Sequence, residues 1–236
     1  MAFNSFLLRG IWLKSTGEFM IISSILLSVI YLLYLSLTGT EGNKISELIF
    51  YVQTHFIVFN SVVLPLYLLM ASEMIHYYSH DQIKIKHSKI SVLVKRQIAL
   101  MVFHTLFFIL IINIPILILS IFNNGFEMLF FIIRSMLIQL PGFMLAASIL
   151  LYLYYRSQQQ GISLLLSIVL LISPHIIGTA IGIESLRSLD YYIYLKHMES
   201  FVVTEGLNES ITFVLVGLFI SMILFLLTVK EGSNQR

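Results

Sequence analysis

One polar segment divides an otherwise apolar chain, and it decides how the chain must fold. Residues 73–96 read EMIHYYSHDQIKIKHSKISVLVKR and run directly into residues 97–122, QIALMVFHTLFFILIINIPILILSIF. The polar segment holds five of the fourteen basic residues. Because short loops rich in lysine and arginine stay on the cytoplasmic side of a membrane, we expect this segment to connect two transmembrane spans on that side.

The composition is that of a polytopic membrane protein. Of 236 residues, 58% are hydrophobic and 11% are charged, and the mean hydropathy is +0.93, which is far from globular averages. A helix of about 20 apolar residues crosses the hydrocarbon of a bilayer. Runs of this length predict six spans, at residues 19–37, 48–72, 97–122, 128–155, 162–183 and 211–229. Because these runs are continuous and do not alternate as barrel strands do, the predicted fold is all-α.

The basic residues predict the orientation of the spans. Ten of them fall on the side of the polar segment, namely Arg9, Lys14, the five within residues 73–96, Arg156, Lys230 and Arg236. Only Lys44, Arg187 and Lys196 fall on the other side, and Arg134, the fourteenth, lies near a span. We therefore expect a multi-pass protein of the cytoplasmic membrane with both termini in the cytoplasm. The formal net charge of +2 is a topology signal and predicts no nucleic-acid partner.

Two further segments belong to the same transmembrane domain, which we expect to cover residues 1–236. Residues 1–16 carry an apolar stripe at helical spacing, which predicts an interfacial amphipathic helix; its members are Phe3, Phe6, Leu7, Gly10 and Ile11. Residues 182–207, between the fifth and sixth spans, mix apolar residues and tyrosines with charges. This mixture predicts a semi-apolar external helical segment that dips back toward the bilayer.

This arrangement resembles the permease subunits of ABC-2 type transporters. The shared features are an amphipathic start, six spans, a charged cytoplasmic segment after the second span and a semi-apolar external segment before the sixth. The local cue is Glu73 at the end of the second span, followed by residues 90–95, ISVLVK, which lead into the third span. The resemblance implies that residues 73–96 carry a coupling helix that docks into an ATPase. The implied coupling residues are Glu73, Asp81, Ile83, Lys84, Ile85 and Lys86.

The resemblance also implies the partners and the activity. No G-x-x-x-x-G-K-[ST] phosphate-binding loop occurs in the chain, so ATP and Mg would be bound by a separate ATPase subunit, present in two copies, and this chain itself would hold no cofactor. A second permease chain, identical or related, would complete the path. The predicted function is that of a transport subunit and not of an enzyme. It would export hydrophobic or amphipathic peptides, in bacteriocin or antimicrobial-peptide export or immunity, across a bacterial cell membrane. Lipids, drugs and haem are alternative cargoes.

Prolines and ionisable residues inside the spans give the remaining candidates. Pro141 with Gly142 and Pro174 with Gly178 are candidate hinges, because proline removes a backbone donor and can kink a helix. Arg134, which is able to snorkel to the outer interface, and His175 are candidates for the substrate path. For His55, His104 and His175, a neutral imidazole that is hydrogen-bonded to a neighbour is the structural alternative.

A different class of function starts from Glu73, His76 and His80. Spacings of three and four place these residues on one helical face, and two histidines with a carboxylate can ligate a metal. The alternative prediction is therefore a stand-alone membrane metalloenzyme or metal sensor. The H-E-x-x-H motif is absent, and Glu73 already has a role in the coupling segment, so the sequence favours the transporter and predicts no metal site.

Overall fold

The structure is a computed structural model that describes residues 59–79, 90–123, 126–182 and 207–234. These residues form five α-helices, the first of which follows a π-helical turn at Phe59–Val63. The helices are α1 at Leu64–Ser79, α2 at Ile90–Asn123, α3 at Phe126–Ser157, α4 at Gln160–Ile181 and α5 at Leu207–Asn234. The all-α prediction is confirmed for this part of the chain.

Four of the helices are long and apolar enough to cross a membrane. Within the described residues the spanning stretches are Ser91–Ile114, Ser135–Ser157, Gln160–Gly178 and Ile211–Ser233. They overlap the last four predicted spans, with ends that differ by up to eight residues. The second predicted span is described only from residue 59 onward, where it continues as α1. The first predicted span, the interfacial helix at residues 1–16 and residues 183–206 of the external segment lie outside the described residues.

The backbone conformations of two residues, Gln158 and Gln159, connect the end of α3 to the start of α4. Gln158 adopts a left-handed conformation, with φ 57°, and its N–H donates to the carbonyl of Tyr154 at 2.8 Å, which closes the end of α3. Gln159 then takes an extended conformation as the N-cap of α4. At the far end of α4, Gly182 has φ 75° and serves as a left-handed C-cap. A two-residue connection therefore makes α3 and α4 antiparallel neighbours.

Helix α3 lies at the centre of the bundle and contacts every other described helix. The share of the spanning stretch that is buried is 67% for α3, compared with 25% for α4 and 28% for α5. Three fully buried rings from three helices meet in the core, since the Tyr67, Phe108 and Phe143 centroids lie 4.8 to 5.2 Å apart. Helices α4 and α5 form the outer layer and expose most of their apolar surface.

Helix α5 comes close to α3 at Gly217. A Cβ placed on Gly217 would lie only 2.6 Å from Cβ of Pro141. Small residues let membrane helices come together at this distance, and van der Waals contact then holds them. The candidate hinge at Pro141 and Gly142 is therefore buried inside an unbroken α3, and Pro141 packs directly against α5.

Candidate functional site

Buried hydrogen bonds tie α2 to its neighbours at three depths of the bundle. They start from Gln97, Thr105 and Asn113, which are at most 2% exposed. These residues are eight positions apart, so the steps along α2 are about 12 Å. We call these three residues and their partners on α1 and α3 the polar ladder. It covers about 24 Å of a hydrocarbon layer about 30 Å thick.

The middle step of the polar ladder joins α1 to α2. The hydroxyls of Tyr67 and Thr105 are 2.6 Å apart, and the hydroxyl of Thr105 donates to the carbonyl of Met101 at 2.8 Å. Because threonine has a single hydroxyl hydrogen, Tyr67 must be the donor to Thr105. The hydrogen bond fixes the depth of α1 relative to α2.

The outer steps join α2 to α3. At one end, Tyr155 donates its hydroxyl hydrogen to Oε1 of Gln97. At the other end, Nδ2 of Asn113 donates to Oε1 of Gln139 at 2.8 Å and to the carbonyl of Ile109 at 2.7 Å. Hydrogen bonds between membrane helices contribute about 0.6 to 2 kcal/mol each. Helices α1, α2 and α3 therefore move together more readily than they slide past one another.

His104 is a buried ionisable side chain beside the middle step of the polar ladder. Its ring is fully buried and stacks on Tyr67, with centroids 5.4 Å apart and planes 20° apart. The ring is close to the main chain of Tyr67, but neither ring nitrogen makes a hydrogen bond of normal geometry. Aromatic packing holds this ring, and the hydrogen bond to a neighbour that the sequence favoured is not formed at normal geometry.

Positively charged side chains collect at one end of the described bundle. Four exposed cations lie there, and we call them the basic belt: Lys95, Arg96, Arg156 and Lys230. They come from the start of α2, the end of α3 and the end of α5. Nη1 of Arg156 lies 3.6 Å from Oε1 of Glu231 on α5, and the two side chains are 66% and 34% exposed. This ion pair contributes little to stability because water screens it, but it places the ends of α3 and α5 at the same level.

The end of α1 joins the same end of the bundle. Nε2 of Gln160, at the start of α4, donates to the hydroxyl of Ser72 at 3.3 Å. Glu73 and His76 follow Ser72 on α1 and are both exposed. Both ends of the connection between α1 and α2, residues 80–89, therefore emerge on the face that carries the basic belt.

Only some of the other predicted site residues lie in the part of the chain that the structure describes. The coupling residues Asp81, Ile83, Lys84, Ile85 and Lys86 lie outside the described residues. Arg134 directly precedes the spanning stretch of α3, and Pro174, His175 and Gly178 lie within α4, where Gly178 is buried. The polar ladder brings none of these residues together.

Of the three residues that could ligate a metal, the structure describes Glu73 and His76, and His80 lies outside the described residues. Among the residues that are described, no three histidine, aspartate or glutamate side chains are close enough to hold a metal ion. The polar ladder includes residues that were not predicted as site residues from the sequence, namely Tyr67, Gln97, Thr105, Asn113 and Gln139. The available signal was a polar residue inside a predicted span.

Comparison with protein-family models, with curated proteins and with solved structures finds no match for this chain. The functional argument therefore rests on the sequence and on the geometry of the bundle.

Proposed function

We propose that this chain is the permease subunit of an ATP-driven ABC exporter of the ABC-2 type. The observation that carries the proposal is the common exit of α1 and α2. Helix α1 ends and helix α2 begins on the face of the basic belt, and residues 80–89 connect them. A motor subunit that binds this connection can act on two helices at once.

The basic belt supports a cytoplasmic position for this connection. Lysine and arginine near the ends of spans are retained on the cytoplasmic side. Together with the six predicted spans, this orientation puts both termini in the cytoplasm and the external segment at residues 182–207 outside. The ATPase would then approach the chain from the side where ATP is present.

The polar ladder supplies a route for force from the connection into the bundle. A displacement of α1 is passed to α2 through Tyr67 and Thr105, and α2 passes it to α3 through its hydrogen bonds with Tyr155 and Gln139. Helix α3 then acts on α5 at the contact of Pro141 with Gly217. The bundle therefore responds as a body to a push at one end, which alternating access requires.

The substrate and the partners follow from the family resemblance. Hydrophobic or amphipathic peptides are the proposed cargo, and a second permease chain, identical or related, would enclose the path with this one. ATP and Mg would be bound by two copies of the separate ATPase. The chain is thus proposed to transport and not to catalyse.

The experiment targets the connection while leaving the helices intact. In the variant Ile83→Asp with Ile85→Asp, we expect normal membrane insertion, loss of co-purification with an ABC ATPase from the native membrane and loss of export. The matched control is Gln159→Asp, which adds a carboxylate to the α3–α4 connection on the same face. It should retain the ATPase.

Two results would contradict the proposal at different levels. Retention of the ATPase and of export by the double variant would show that the coupling residues are elsewhere in the chain. Failure of any ATPase to co-purify with the unmodified chain, under conditions that preserve known transporter complexes, would remove the transporter from consideration and leave a stand-alone membrane protein.

A further inference from the structure

The outer faces of α2 and α5 carry apolar stripes. On α2 the exposed apolar side chains recur every three or four residues from Phe103 onward, at Phe103, Leu106, Leu110 and Ile114, and Val92 lies on the same helical face eleven residues before Phe103. On α5 they recur in the same way, at Leu215, Phe219, Ile223, Leu226 and Leu227. Stripes of this length on membrane-spanning helices are solvated by lipid acyl chains.

Cations of the basic belt lie on these same faces, near one end of each stripe. Lys95 and Arg96 follow Val92 by three and four residues, which is one helical turn. Lys230 follows Leu226 by four residues. All three cations are exposed. Helical spacing therefore puts all three on the faces that carry the apolar stripes.

The cations on the two helices are at nearly the same depth. A Cβ placed on Gly232 would be 2.6 Å from Cγ2 of Val94, so these two residues are at one level. The helices are antiparallel, because α2 starts and α5 ends at this level. Arg96 on α2 and Lys230 on α5 are each two residues further into the bundle than this level. Both therefore lie about 3 Å deeper. The ion pair with Glu231 brings Arg156 to this level as well.

We propose that this surface binds anionic phospholipids, with the phosphate at the basic belt and the acyl chains along the stripes of α2 and α5. Lysine and arginine stems lie along apolar surface while their charged heads reach the headgroup region. The described carboxylates at this end are Glu73 and Glu231, and Glu231 is paired with Arg156. The net positive charge of this level therefore favours an anionic headgroup over a zwitterionic one. The proposal does not depend on the transport function.

The test measures stabilisation of the purified full chain by added lipid. Phosphatidylglycerol and phosphatidylcholine with identical acyl chains are titrated into the detergent-solubilised protein, and the melting midpoint is followed at each concentration. We expect phosphatidylglycerol to act at a concentration at least tenfold lower. Each cation near an anionic surface contributes about fivefold to binding, so Lys95→Gln with Lys230→Gln should lose about 25-fold in apparent affinity for phosphatidylglycerol.

The matched control keeps the charge and changes the side chain. Lys95→Arg with Lys230→Arg should behave as the parent does. In the parent, raising the salt to roughly 0.5 M should reduce the preference for phosphatidylglycerol, because exposed charges are then screened. This second measurement needs no variant, so it stands even if a substitution impairs folding.

Three results would overturn the proposal. Equal stabilisation by the two lipids would show that only acyl chains are recognised. An unchanged preference in the glutamine variant would place the headgroup site elsewhere. Stabilisation by inorganic phosphate at the concentration at which phosphatidylglycerol acts would identify a phosphate site that is independent of lipid.

Discussion

The contact of Gly217 with Pro141 allows a stability effect to be worked out from geometry. In Gly217→Ala, the new Cβ would lie 2.6 Å from Cβ of Pro141 and 3.6 Å from its Cγ. Carbon atoms pack best at about 3.5 to 4.0 Å, so α5 would have to move away from α3 by about 1 Å. The proline ring is closed onto the backbone of α3 and cannot rotate out of the way.

Two opposing effects set the magnitude. Overpacking a well-packed core costs about 1 to 3 kcal/mol, whereas replacing glycine by alanine inside a helix gains up to about 1 kcal/mol. We expect Gly217→Ala to lower the free energy of unfolding by about 1 to 2 kcal/mol. The same substitution at Gly161, near the start of α4, meets nothing within 4 Å and should raise the free energy of unfolding by up to about 1 kcal/mol.

The assay is equilibrium unfolding in mixed detergent micelles, followed by far-ultraviolet circular dichroism of each purified variant. For Gly232→Ala we expect a change in the free energy of unfolding between those of the other two variants. Its new Cβ would also come within 2.6 Å of a side chain, that of Val94, but Gly232 is in the last turn of α5, which can shift. If Gly217→Ala proved as stable as Gly161→Ala, the close contact between α3 and α5 would be refuted.

Three other substitutions test separate features. His104→Phe keeps the stack on Tyr67 and removes two nitrogens that lack hydrogen bonds, so thermal unfolding should show unchanged or higher stability, by up to about 2 kcal/mol; a clear loss would reveal a partner of the imidazole. Gln159→Asp supplies the N-cap side chain that α4 lacks and should stabilise the chain by about 1 kcal/mol in the same assay, whereas a loss would contradict the cap geometry. His76→Ala with His80→Ala should leave the metal content of the purified chain, measured by mass spectrometry, equal to that of the parent; stoichiometric zinc or iron in the parent that is lost in the variant would favour the metalloprotein alternative.

The spans were predictable because their signal is local. A continuous apolar run of about 20 residues has few alternatives to a membrane helix, and the last four predicted spans coincide with described helices. The limits of the helices were less predictable. Helix α2 begins at Ile90, seven residues before the predicted span, because the basic turns around Lys95 are helical as well, and hydropathy reports the apolar part of a helix only.

The contacts between helices were not predictable from this one sequence. Tyr67 and Thr105 are 38 residues apart, and Gln97 and Tyr155 are 58 residues apart. A polar residue within an apolar run indicates that a partner is needed, but the partner depends on how the helices rotate and cross. His104 illustrates this limit, since a histidine in a span was expected to be hydrogen-bonded, and its ring instead stacks on Tyr67 without a hydrogen bond of normal geometry.

The central position of α3 has a consequence for the synthesis of the protein. Helix α3 packs most extensively against α5, and roughly fifty residues separate the end of α3 at Ser157 from the start of α5 at Leu207. At about 5 to 20 residues per second, the ribosome needs several seconds to reach α5 after completing α3. During that interval Pro141 and the neighbouring surface of α3 face lipid or the insertion machinery. We therefore expect the nascent chain to become more resistant to membrane proteases once α5 has been translated.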